Sequence, residues 1–106
     1  MGRFVIVAYQ PKAGMEQQLL AAVRKHLKVL RAENLVSDKA PYAMRAKDGT
    51  IVEVFEWRSA EAIAQAHGNA AVQALWDEFG VACDYVPLTT LAEAQQMFAE
   101  FDSIEL

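Results

Sequence analysis

Three segments of this chain alternate like β-strands but carry apolar side chains in both rows. In "RFVIVAYQ" (residues 3–10), Phe4, Ile6 and Ala8 form one row and Val5, Val7 and Tyr9 the other. "TIVEVFEW" (residues 50–57) repeats the pattern with a carboxylate in each row: Ile51, Glu53, Phe55, Trp57 against Val52, Val54, Glu56. "VACDYVPL" (residues 81–88) sets Ala82, Val86 and Leu88 against Val81, Cys83 and Tyr85. An antiparallel sheet with one wet face alternates apolar with polar. Strands that do not alternate in this way predict a sheet covered on both sides.

The intervening segments supply only one cover. Met15, Leu19, Leu20, Val23, Leu27 and Leu30 recur at helical spacing and predict an amphipathic helix over residues 15–32, ended near Asn34. "PYAMRAKDGTIVEVFEW" predicts a hairpin, because Asp48-Gly49 accepts the positive φ angles of a tight reversal. Ser59 is set to cap the next helix, His67-Gly68-Asn69 interrupts it, and Asn69 is set to cap a further one bearing Val72, Leu75, Trp76 and Phe79. Pro87 belongs at a sheet edge or a strand end. Thr90 and Glu93 have capping-box spacing and predict an extra C-terminal helix with Leu91, Ala94, Met97, Phe98 and Phe101 on its apolar face. The tail "DSIEL" is expected to be loose or to lie on a partner. The order is α+β, a ferredoxin-like βαββαβ antiparallel sheet with helices on one face. Its second face then calls for a second copy of the sheet, and a twofold homodimer is the commonest closure.

At 106 residues, one domain spanning 1–106 is the expectation. A hydrophobic fraction of 54% is generous for so short a chain and fits a second buried surface. A net charge of −4 with scattered Lys and Arg argues against nucleic acid, and "RKHLKVLR" reads as a solvated helix face. Cys83 is the single cysteine, which leaves no internal disulfide and reads as a small buried hydrophobe. The apolar run before Pro11 is too brief for a signal-peptide core or a membrane span, so a cytoplasmic protein without membrane contact is expected.

The element order, the "FEW…SAEAIAQAH" stretch and the "NAAVQALW" helix resemble the antibiotic biosynthesis monooxygenase (ABM) domain family of the dimeric α/β-barrel superfamily. The resemblance covers about residues 3–101. It implies a dimeric α/β barrel and, in the oxygenase branch, a cofactor-independent monooxygenase acting on a phenolic, quinol-like or polyketide-type aromatic molecule. The alternative is a non-catalytic dimeric module that binds a small apolar or aromatic molecule or protects another protein. The family places a Glu late in strand three and a His eleven residues on, a spacing met by Glu56 and His67. The haem-degrading branch carries Asn, Trp and His where this chain has Val7, His67 and Asp77, which argues against haem degradation.

Glu56 and His67 are therefore the expected catalytic pair, with His67 as base and Glu56 as its orienter; the bland reading is a structural hydrogen bond between helix and sheet. His26 borders the apolar stripe of the first helix and either lines a pocket or bonds a backbone carbonyl. Trp57, Trp76 and Tyr85, with Tyr9 and Tyr42, could cage a planar substrate, although Trp76 at helical spacing also reads as core. Glu53 is expected on the sheet–sheet side, held by Arg45 or by the partner chain. Alternation defines the rows but not their sides, and a reversal would make Glu53 the pocket acid. Two histidines without a sequence-linked third ligand do not make a metal site. No metal and no cofactor are expected.

Overall fold

The computed structural model describes residues 1–106. Its elements run β1 (Arg3–Pro11), α1 (Glu16–Ala32), β2 (Tyr42–Arg45), β3 (Ile51–Trp57), α2 (Ala60–His67), α3 (Ala70–Ala82), β4 (Cys83–Val86) and β5 (Asp102–Ile104). The strands form one antiparallel sheet in the order β4-β1-β3-β2-β5. The first four strands have the order of a ferredoxin-like α+β fold. No helix is long and apolar enough to cross a membrane.

Local chemistry sets the boundaries. Asn34 adopts φ +59° just past α1, a left-handed conformation that stops the helix. Gly49 takes φ +95° in the β2–β3 turn, and the Asp48 carboxylate accepts the Thr50 amide at 2.8 Å. Ser59 and Asn69 accept the Ala62 and Val72 amides at 3.1 Å, capping α2 and α3 as their sequence positions predict.

Three expectations at the C-terminal end need correction. The fourth strand begins at Cys83, because α3 continues to Ala82. The C-terminal helix does not form: two short 3-10 turns, Leu88–Thr90 and Ala92–Gln95, stand in its place. The Thr90 hydroxyl bonds back to the Pro87 carbonyl at 2.8 Å, and Glu93 accepts the Lys47 amide of the β2–β3 turn at 2.8 Å. Both capping-box side chains are thus diverted, and Met97 and Phe98 remain exposed. A helix whose apolar face finds no cover has little to hold it. The tail "DSIEL" contributes β5, paired to β2 within the same chain.

The helices cover the row Val5, Val7, Tyr9, Glu53, Phe55 and Trp57, of which the last four are buried and Val5 and Val7 partly so. Tyr9 packs with Leu19, Val23, Leu75 and Phe79, and Phe55 and Trp57 with Leu27, Leu30 and Val72. The other face is divided. Ala8, Ala46 and Val52 lie under Leu91, with Leu88, Ala94 and Phe101 around them. Its remainder is open, with Phe4 58%, Ile6 53% and Tyr42 70% exposed.

Candidate functional site

Strand register builds the site. Val7 of β1 and Ala43 of β2 lie opposite Glu53, the third residue of central strand β3. Neither neighbour offers a charge, so the carboxylate reaches out of the sheet toward α1. It is 0% exposed. Its Oε1 accepts the Tyr9 hydroxyl at 2.6 Å and lies 2.8 Å from His26 Nδ1, while Oε2 has no partner. A buried carboxylate with half its acceptor capacity unused is held by those two donors alone.

The imidazole is oriented at both nitrogens. Trp76 Nε1 lies 3.3 Å from His26 Nε2. An indole N–H can only donate, so Nε2 accepts and Nδ1 carries the hydrogen given to Glu53. The ring stands edge-on to Phe55 and Phe79, with centroids 5.3 and 4.9 Å away. The result is a continuous chain: Tyr9 to Glu53 from one side, and Trp76 to His26 to Glu53 from the other.

This chain edges a cavity of about 370 Å³. The sheet supplies Val5, Val7, Tyr9, Phe55 and Trp57; α1 supplies His26, α3 supplies Trp76, Asp77 and Phe79, and β4 supplies Tyr85. Asp77 and Tyr85 are exposed at the rim. The volume lies within the range of small-molecule sites, and an apolar lining with a few convergent polar groups is their usual composition. Burial, followed by the charge of Glu53 and the hydrogen bond to it, raises the Tyr9 phenol well above its ordinary value. Loss of hydration, with the nearby Cys83 and Glu53 charges, pushes Tyr85 up to about 12. Burial beside Asp84 pushes the Cys83 thiol up to about 11, which leaves it a poor nucleophile.

His26, Trp57, Trp76 and Tyr85, expected around an aromatic ligand, all line this cavity. The expected catalytic pair does not meet. Glu56 belongs to the opposite row, on the open face, where Lys39 approaches it to 3.2 Å. The Ser37 hydroxyl, with Lys39, holds its carboxyl below the ordinary value. His67 is exposed at the end of α2; its Nδ1 donates to the Ile63 carbonyl at 2.8 Å, and its ring stands against Trp76 at 5.2 Å. The placement of Glu53 is corrected likewise. It faces the helices rather than a second sheet, and Arg45 lies opposite Ile51 with its side chain exposed. The eleven-residue spacing from Glu56 to His67 spans a strand end and a helix, so it leaves open which side of the sheet the acid occupies. The signal for Glu53 lay in its own row: it shares a side with Phe55 and Trp57, and buried aromatics mark the covered face. No cluster of three or more His, Cys, Asp or Glu side chains is arranged to hold a metal.

Comparison with known proteins finds no matching family model, no similar curated protein and no similar solved structure at a significant level.

Proposed function

We propose that this chain is an ABM-type protein: a homodimer closed into an α/β barrel, acting as a cofactor-independent monooxygenase on a phenolic or quinol-like aromatic molecule. The observation that carries this reading is the buried Glu53–His26 pair at the edge of an apolar, aromatic-walled cavity. The base is His26 and its orienting acid Glu53, in place of His67 and Glu56. The dimer is supported by the open patch of Phe4, Ile6 and Tyr42 on the face away from the helices.

His26 Nε2 takes the proton of a phenolic hydroxyl, and Glu53 stabilises the imidazolium through Nδ1–H. The phenolate is electron-rich at its para carbon, where O2 adds. Proton return from His26 gives a hydroperoxide. Loss of water, with the hydrogen of that same carbon, leaves a quinone. One oxygen atom enters the product and the other leaves as water, so no external reductant is required.

Oxygen uptake with 1-naphthol and anthrone, which carry hydrogen on the carbon opposite the oxygen, tests the reading. His26→Gln is expected to lower the rate by about 100-fold or more, the usual contribution of a positioned base, while His67→Ala leaves it unchanged. No uptake with either compound, or an unaltered rate in His26→Gln, would sink it. One observation favours the non-catalytic module instead: Nε2 is already engaged by Trp76. That reading predicts ligands that raise the melting temperature without consuming oxygen.

A further inference from the structure

The polar groups around the cavity are asymmetric in a way that selects ligands. The His26 Nδ1 hydrogen and the Tyr9 hydroxyl hydrogen are both committed to Glu53 Oε1. What His26 presents is therefore an acceptor, the Nε2 lone pair. Asp77 at the rim is a second acceptor, and no Lys or Arg lines the cavity. The donor now facing Nε2 is the Trp76 indole, at 3.3 Å, longer than the ordinary 2.9–3.0 Å of N–H donors. Trp76 is partly buried, and its outer side rests against the exposed His67 ring, so one edge of the indole borders solvent rather than packed core.

We infer that His26 Nε2 sets the ligand specificity of this cavity and that Trp76 is its internal competitor: the indole N–H occupies Nε2 until a ligand hydroxyl replaces it, so that the site takes uncharged aromatic hydroxyl donors and discriminates against their ethers, quinones and carboxylates. A phenol O–H reaches Nε2 at a shorter distance than the indole does and releases Trp76. An ether or quinone has no hydrogen to offer, so the indole keeps its position and closes that end of the cavity. A carboxylate meets Asp77 and the buried charge of Glu53 with no cation to offset them. In the proposed reaction the substrate is a donor and the quinone product only an acceptor, so Trp76 recaptures Nε2 as the product forms.

The inference rests on the cavity being the ligand site proposed above, but not on oxygen chemistry, and it is tested without oxygen. Wild-type protein is titrated anaerobically with 1-naphthol, 1-methoxynaphthalene, 1,4-naphthoquinone and 1-naphthoate by calorimetry. The indole N–H resonances are followed by 15N NMR, where two tryptophans give two assignable signals. Naphthol is expected to bind about tenfold tighter than the ether or the quinone, the worth of one good hydrogen bond in a dry site, with naphthoate weakest. The Trp76 N–H signal moves with naphthol and stays with the ether. In Trp76→Phe, where nothing competes for Nε2, the naphthol-to-ether ratio widens several-fold. Equal affinities, tightest binding by naphthoate, no binding by any probe, or a Trp76 signal that shifts alike with naphthol and ether would each overturn the inference. Oxygen uptake without the hydroxyl preference defeats this inference and spares the monooxygenase reading. The preference without uptake does the reverse.

Discussion

Two glutamates three residues apart on β3 occupy different physical worlds. Glu53 points to the helices, loses all contact with water, and is bound by Tyr9 and His26. Glu56 points the other way, is partly covered, and shares an ion pair with the exposed Lys39. An odd separation along a strand is enough to divide them. On the covered face, removing one member strands the others where water cannot replace it. On the open face, solvent fills whatever is removed. A carboxylate's worth therefore follows from which side of the sheet it takes and what lies opposite, not from its own chemistry.

The sharpest way to break that contrast is to delete Glu53. Glu53→Ala leaves a Tyr9 hydroxyl and a His26 N–H buried without an acceptor, and is expected to cost about 3–5 kcal/mol, the range for breaking a buried charged partnership. Lys39→Ala, on the exposed side, should cost less than about 1 kcal/mol. Urea unfolding followed by circular dichroism measures both. Equal losses would mean that burial does not separate the two acids.

The open face is tested next. Replacing Phe4 or Ile6 by Glu should weaken the proposed dimer by about 1.5–3 kcal/mol per side chain, the value of burying one large apolar group, or about 10–150-fold in dissociation constant for each of the two copies in the dimer. Analytical ultracentrifugation at micromolar concentration reads the change. A wild-type monomer at that concentration removes the dimer, and with it the reason for so many apolar residues on that face.

Tyr9 gives a smaller effect and a pH signature. Its folded-state value lies well above 10, so in alkali the unfolded chain sheds this proton first and the native state binds more protons. The contribution is complete below about pH 10, the ordinary tyrosine value, and is lost as pH rises from there toward the folded value. Tyr9→Phe should cost about 1.5–3 kcal/mol at neutral pH, for one hydrogen bond to a charged group, and flatten the alkaline limb of the stability curve. An alkaline limb as steep as in the wild type would detach Tyr9 from Glu53.

These tests also mark how far the sequence could be read. The hairpin, the first helix and both later caps were legible because each rests on local chemistry: Asp48-Gly49, a six-residue apolar stripe, Ser59 and Asn69. The C-terminal segment was not, because Thr90 and Glu93 answer to Pro87 and Lys47, and the Lys47 contact is visible only once the sheet exists. The four cavity side chains His26, Trp57, Trp76 and Tyr85 could be named from periodicity and residue type. Their partner acid could not be chosen, because a strand pattern sorts Glu53 from Glu56 without saying which row meets the helices. The aromatics sharing Glu53's row were the available clue, and the spacing from Glu56 to His67 drew attention away from them.

The smallest expected effect lies at Glu56, and its sign can be worked out. The Ser37 hydroxyl and Lys39 depress its folded-state value below the ordinary 4.5. Above 4.5 the carboxylate is charged in both states and its partnership contributes fully. As pH falls toward the depressed value the unfolded chain takes up the proton first, and the contribution disappears. Because solvent reaches this group, salt screens the Lys39 pair, and 0.5 M NaCl should remove most of it. Glu56→Gln is therefore expected to lower the urea midpoint slightly at pH 7 and not at all at pH 3, with the difference at pH 7 shrinking in salt. A shift at pH 7 as large as that of Glu53→Ala, and indifferent to salt, would place Glu56 in a buried network and return the Glu56–His67 pair to consideration as the working acid and base.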